Sequence, residues 1–503
     1  MSASKLFIIL FLFCTVQALY AQQEDKQDYI WLFGSFPNIP EDSFGGSIMD
    51  FYANPPEINF FNIPFGATVF SIISDNTGNL VFYSNGCQII NRMHEIMLNG
   101  EEINPGYVHN SYCGSLGYPY RQGLMALPQP GSDSLYYLFH LRRNDQLYIT
   151  DFMYSLVDGS GDNGLGEVTE KNTLLFQDTF ADQLQAVRHG NGRDWWVVAP
   201  KVGSNIHYLF LLSPQGVEGP FVRQAGVEWN DYYWSGQAIF SPDGSKYIRV
   251  NPFNGIHIFD FDRCSGELYN PVNLEFVGDT IGGGTGAGVS VSPNNRYLYV
   301  SLSTKFYQYD LWADDIGASR QLIAVYDGFL SFLPTTFFQH MLAPDGKIYV
   351  TSTNGVNRLH VIHNPNELGT ACNLEQHGIR LPTFHAFAAP NFPHFRLYDL
   401  PGSPCDTLGI STADKEPERQ EAGIRVFPNP ADGVVNFELP SGGVGSIQVW
   451  STDGRIMYKH EIGEHIEQEL SVSTMRWPSG MYICILYDDT GKVNRRFTFV
   501  VTH

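Results

Sequence analysis

The sequence predicts an all-β protein: a seven-bladed β-propeller, with six blades as the alternative, followed by a small Ig-like β-sandwich. Three observations lead there. First, one phrase is written three times, as Ser-Pro-Asp-Gly-Ser-Lys-Tyr-Ile from Ser241, Ser-Pro-Asn-Asn-Arg-Tyr-Leu-Tyr from Ser292 and Ala-Pro-Asp-Gly-Lys-Ile-Tyr-Val from Ala343. The second and third each start 51 residues after the one before. Next, each phrase follows an apolar run and precedes an alternating one; proline sets φ, and Asp-Gly or Asn-Asn tolerates the positive φ of a tight hairpin. Finally, charged residues are only 16% while aromatics reach 14% and glycines number 49, which suits many short strands and turns. Strand, hairpin and strand at a period of about 50 is how a propeller blade is written in sequence.

Residues 1–21 read as a secretory signal peptide. Lys5 supplies the positive start, residues 6–13 the apolar run, and Ala21, with Ala18 as alternative, the cleavage position. Phe13 precedes Cys14 where a lipoprotein signal has a small residue, so no lipid anchor is expected. No later apolar run approaches the ~20 residues that span a bilayer.

The propeller is expected over residues 28–400. Strands at 29–34, 47–52 and 57–63 lack a leading turn phrase. The repeat begins at 67–74, turns at Asp75-Asn76-Thr77-Gly78 and returns over 79–84; further units fall at 124–140 and 185–199, and the three phrases supply the next three. A seventh unit is expected to be split, with 384–392 as its inner strand and the three N-terminal strands completing it. Such closure removes the sheet edges on which chains aggregate. Residues 401–423 are polar, rich in turn residues and without apolar periodicity, and read as a linker. A small β-domain follows over 424–503, with strands near 434–439, 446–450, 468–472, 480–487 and 496–501.

That last domain carries a resemblance. Arg425-Val426-Phe427-Pro428-Asn429-Pro430-Ala431, the run from Ile447 to Arg455 with Gly454 inside it, and Trp477-Pro478-Ser479-Gly480-Met481-Tyr482 resemble the C-terminal sorting domain of type IX secretion cargo, of the Por type, in order, spacing and terminal position. The resemblance implies export across the outer membrane of a Gram-negative bacterium, with the secretion machinery as partner and Pro428, Asn429, Pro430, Gly454 and Gly480 as motif positions. A flexible linker before a compact module lets a receptor engage it without unfolding the rest. The stretch Ser74 to Gly86 followed by Met97-Leu98-Asn99-Gly100 is similar to secreted propeller cargo of the same class, which brings no activity with it.

Beyond the signal peptide lie Cys87, Cys113, Cys264, Cys372, Cys405 and Cys484. Export to an oxidising compartment permits disulfides. Cys87 with Cys113 is the first expected pair, since one loop-rich segment holds both, and its closure contributes roughly 3 kcal/mol in the chain-entropy model. Cys264, Cys372 and Cys405 are expected to contain a second bridge, and Cys484 to be a buried thiol in a strand. None has zinc-ligand spacing, and no metal site is expected.

A net charge of −22 disfavours a nucleic-acid partner, which needs a basic face. Gly282-Gly283-Gly284-Thr285-Gly286-Ala287-Gly288 is followed by a strand rather than a helix, so it reads as an inter-blade loop and not a phosphate cradle. Residues 158–164 place oxygens at alternate positions as a calcium loop does, but Asn163 and Thr169 stand where an EF-hand has Gly and Glu. A polar hairpin tip is the plainer reading and calcium the alternative. No G-x-S-x-G elbow or paired-histidine metal motif occurs, and no catalytic residue is assigned.

In a propeller, connections from one blade's outer strand to the next blade's inner strand gather at the mouth of the central channel. Here they carry aromatics beside Arg, Asp and His. Tyr120, Arg121, Tyr232, Tyr233, Trp234, His340 and His385 are therefore the candidate ligand-binding residues, flat apolar faces with polar handles for a glycan or a protein. The plainer alternative is that these rings pack between blades. The function expected is a secreted or cell-surface binding or adhesion module; the alternative is an extracellular hydrolase or lyase in the same funnel. A structural component without a small ligand is a third reading, favoured if the funnel is plugged.

Overall fold

In the computed structural model, residues 25–35, 44–66, 68–229, 236–276, 286–387, 389–406, 425–427, 431–438, 446–451, 455–461, 469–487 and 493–502 are described. The expected signal peptide, most of the linker, Tyr232, Tyr233, Trp234, Pro428, Asn429, Pro430 and Gly454 lie outside them. The chain divides into two compact units, Met1–Thr412 and Ala413–His503.

The first unit is built of antiparallel sheets taken one after another along the chain. The first sheet holds Ile30–Gly34, Gly46–Asp50 and Glu57–Phe61. The second holds Ser71–Ser74, Leu80–Ser84 and Ile89–Asn91. Four-stranded sheets follow, with inner strands Leu124–Pro128, Gln185–Arg188, Gln237–Phe240, Ala287–Val291 and His340–Leu342. They end on outer strands Glu167–Gln177, Gly216–Gln224, Glu267–Leu274, Gln321–Val325 and Leu374–His385. Each strand pairs with the next in sequence, and each outer strand leads to the following sheet's inner strand. That is the arrangement of a β-propeller.

The repeated phrases are the hairpins between the first two strands of a sheet, and their chemistry explains their recurrence. At Ser241 the hydroxyl receives the Lys246 N–H and donates to Asp243 Oδ1, which also receives the Ser245 N–H. Ser292 and Asn294 repeat the pattern. Gly244 sits at φ +71 and Asn295 at φ +61, the positive values that glycine and asparagine tolerate. The inner and middle strands are buried on both faces, so they read as continuous apolar runs such as Trp195–Pro200 and Tyr297–Leu302.

The expected split blade is corrected. Phe384 and His385 end the outer strand of the seventh sheet, and no strand forms over the described residues of 386–392. The Ala386 N–H still reaches the Gly34 carbonyl of the first sheet (3.2 Å), but the chain then leaves that sheet for the axis. Prolines at 390 and 393 cannot donate to a ladder, which is why this stretch closes the ring through side chains instead.

Two disulfides form, Cys87–Cys113 as expected and Cys264–Cys405 as the second bridge; Cys372 and Cys484 are buried free thiols. Cys405 fastens the end of the first unit to Cys264 of the fifth sheet, and Gly190, in the first hairpin of the fourth sheet, lies so close that a Cβ there would meet both sulfurs within 3 Å. The second unit is a β-sandwich. Arg425–Phe427, Val434–Glu438 and Glu469–Ser473 form one sheet; Ile456–Glu461, Ser446–Ser451, Gly480–Tyr487 and Val493–Val501 form the other. Phe437, Trp477, Tyr482 and Phe499 fill the space between them.

Candidate functional site

The axis of the propeller is closed by amides. A glutamine stands at or just before four inner strands: Gln122, Gln185, Gln237 and Gln339, each 2% exposed. Gln122 exchanges two hydrogen bonds with the Ala238 backbone, donating Nε2 to its carbonyl (2.7 Å) and accepting its N–H (2.8 Å). Gln237 does the same with His340 (2.6 and 3.0 Å) and also accepts the Val289 N–H. Each glutamine thereby ties one inner strand to another. The crossing segment supplies the centre. Asn391 Nδ2 donates to the Leu124 and Leu184 carbonyls (3.0 Å each), and its Oδ1 accepts from Gln122 (3.1 Å) and Gln185 (3.3 Å). Gln339 Oε1 accepts the Ala389 N–H. Beside this plug lies a cavity of only about 20 Å³, lined by Gln185, Ser290, His340, Phe392 and His394 among others.

At the mouth, the predicted residues separate. Tyr120 is fully buried, its ring 4.7 Å from Tyr118 and its hydroxyl accepting from Asn104 Nδ2 (3.0 Å). Burial pushes its pKa well up. His340 is also fully buried, stacked on Phe306 at 4.8 Å with Nδ1 3.1 Å from Ser290 Oγ, and burial pushes it down to about 3. His385, 1% exposed, holds the Arg358 carbonyl through Nε2 (3.2 Å), and burial lowers it to about 4. These three rings are interior packing. They share no hydrogen bond or ring contact with one another, so they do not form a common site.

Arg121 differs. Its backbone N–H and that of Gln122 are taken by Asp182 (2.8 and 3.1 Å), which also pairs with Arg143 (3.2 Å). The Arg121 guanidinium lies 4.3 Å over the Phe387 ring, with one long hydrogen bond to the Tyr120 carbonyl (3.5 Å). Of the aromatic connection entering the fifth sheet, Trp229 is described and packs inward, 4.3 Å from His257 and 4.1 Å from Arg249. Phe337 and Phe338 are likewise buried.

The calcium alternative finds a capped turn. Asp158 Oδ1 accepts both the N–H (2.9 Å) and the hydroxyl (2.7 Å) of Ser160. Among the described residues, the one group placed as metal ligands is Cys87, His109 and Cys113, whose sulfurs are joined as a disulfide.

The axial amides escaped the sequence reading, although Gln185 and Gln237 open runs it identified as inner strands. Their recurrence at the head of these runs is the signal that was legible; Asn391 carries none, because its partners are backbone carbonyls more than 200 residues away.

Comparison with known proteins decides the second unit. Residues 425–500 match the family model described as a secretion system C-terminal sorting domain. This segment is that sorting domain. With it, the protein is type IX secretion cargo, whose partner in export is the secretion machinery and whose destination is outside the cell or the outer surface of a Gram-negative bacterium. Among the described residues, no helix is long and apolar enough to cross a membrane. No curated protein matches the chain. Similar solved structures include a protein from Lactobacillus plantarum (13% identity, 71% of this chain and 98% of that one, TM-score 0.44). A second is PorZ, a surface component of the type IX secretion system of Porphyromonas gingivalis (13%, 91% and 63%, TM-score 0.35). A third is a putative 6-phosphogluconolactonase from Bacteroides fragilis (12%, 71% and 97%, TM-score 0.42).

Proposed function

We propose that the sorting domain delivers a seven-bladed propeller to the cell surface as a glycan-binding module, with recognition on the face carrying the outer-to-inner connections. The observation behind this reading is the plug. Asn391, Gln122 and Gln185 fill the axis with mutually satisfied amides, so a ligand meets the rim rather than a funnel. Arg121 on Phe387 supplies a polar and aromatic contact there, and Tyr232, Tyr233 and Trp234 stay candidates from the sequence alone; Tyr120, His340 and His385 drop out because they are interior.

Hydrolase or lyase chemistry in the channel is the rival. It needs an acid–base pair or a metal near the axis. The described axial side chains are amides, a serine and histidines that burial holds neutral. The test is a glycan array and a turnover assay on sugar lactones and polysaccharides, run on one preparation. Retention of a glycan that weakens with Arg121→Ala, without turnover, supports binding. Turnover that survives purification would overturn it.

A further inference from the structure

The connection between the sixth and seventh sheets makes an excursion with features that folding alone does not require. Leu330–Ser331 and Leu333–Pro334 pair as a minimal hairpin with Phe332 at its tip. Phe332 stands at φ +68 and is 83% exposed. An aromatic residue held at positive φ is a backbone outlier, and here the strain presents a ring to solvent. Phe384 backs it at 5.9 Å. The base of the excursion is fixed to the outer strand: Gln376 donates to the Val325 carbonyl (3.0 Å), and Asp327 pairs with His377 (2.9 Å). This lays the Phe329 ring on His377 at 4.0 Å and under the Arg358 guanidinium at 5.7 Å.

Arg358 faces Arg380 directly across the last two strands of the seventh sheet. Like charges in register are destabilising. Among the described residues, neither has a carboxylate within ion-pair distance, and the Arg358 Nε is buried without an acceptor. Elsewhere the chain pairs its arginines with aspartates, as at Arg142, Arg143, Arg188, Arg296 and Arg396. The nearby acids are spoken for: Asp327 is held by His377 and Glu375 by His363. Although the whole chain carries −22, screening over about 8 Å at physiological salt lets this local pair govern what binds beside it.

We propose that Arg358, Arg380 and Phe332 form a subsite for a carboxylate-bearing polysaccharide, a step that rests on the glycan-binding reading above. Two guanidinium forks match carboxylates, and an exposed ring stacks on the apolar face of a sugar. An acidic peptide adding as a further strand fits less well. The outer strand is broken by register shifts opposite Arg358 and Leu359 and by His377 at φ +45, so it offers no regular ladder.

The test uses the full chain and polygalacturonate, its fully methyl-esterified form and polyglutamate, with affinity read by calorimetry. Polygalacturonate binds in 50 mM salt and weakens at least tenfold in 500 mM; Arg380→Ala weakens it about tenfold, Arg358→Ala at least as much, and the neutral ester is not retained. Phe332→Gly weakens it about fivefold while the melting temperature holds or rises, since glycine accepts the positive φ. Polygalacturonate binding unchanged in both arginine variants overturns the subsite and leaves the glycan-binding reading standing. Polyglutamate bound equally, with the same sensitivity to the variants, overturns the polysaccharide in favour of an acidic peptide. If the wild-type chain binds neither polygalacturonate nor any glycan of the array, both readings fall.

Discussion

Asn391→Ala probes the closure of the ring. Asn391 is 3% exposed and makes four hydrogen bonds, two donated to the Leu124 and Leu184 carbonyls and two received from Gln122 and Gln185. The two glutamines keep the Ala238 carbonyl as acceptor after the change, whereas the two carbonyls lose this donor. At about 1–3 kcal/mol for each buried group left unpaired, the variant loses about 2–6 kcal/mol. Against a typical domain stability of about 5–15 kcal/mol, that is a large share. Urea denaturation followed by tryptophan fluorescence measures it, since Trp195 and Trp196 lie in the neighbouring sheet. Asn391→Asp preserves the shape but turns a carboxylate toward two carbonyls, so it should cost more than alanine at neutral pH. An alanine variant within about 0.5 kcal/mol of wild type would refute the reasoning.

Acid should unfold the propeller well above the carboxylate range. Burial holds His140, His340 and His360 at about 3, against roughly 6.5 in an unfolded chain, so the unfolded state binds more protons between these values and stability falls as pH falls through that window. Each contributes a loss of about 2 kcal/mol by pH 5; circular dichroism should show cooperative unfolding near there, and a native signal at pH 4 would count against it. Closing 141 residues, the Cys264–Cys405 bridge should contribute about 5 kcal/mol, against about 3.5 for Cys87–Cys113 with 26. Cys405→Ser should therefore lower the melting temperature more than Cys113→Ser, and the reverse order would contradict the loop argument. Deleting residues 413–503 should leave a folded propeller inside the cell envelope. Export of that truncated chain at the wild-type level, seen by fractionation, would separate sorting from this domain.

Much of the fold was legible because its determinants are local. The Ser241, Ser292 and Ala343 phrases fix hairpins through hydrogen bonds spanning a few residues, and the buried strands declare themselves as apolar runs. Cys87–Cys113 could be read for the same reason, both partners sitting in one loop-rich stretch. What escaped depends on distance. Nothing near Asn391 in sequence shows that it ends among inner strands, and residues 384–392 read as a strand because their apolar content is indistinguishable from one. The candidate site residues combine aromatic and charged character with a place in the connections. Burial sorts that set, keeping Tyr120, His340 and His385 inside while Arg121 stays at the mouth on Phe387.

Labelling of a cysteine placed on the axis tests the sealed channel most directly. Ser290 is 3% exposed, lines the axial cavity and bonds to His340. With Ser290→Cys, a small maleimide should react in native buffer no faster than with the buried Cys372 and Cys484, and rapidly once urea unfolds the chain. Native labelling at the rate of an exposed cysteine would show an open channel, and recognition would then belong in the funnel after all.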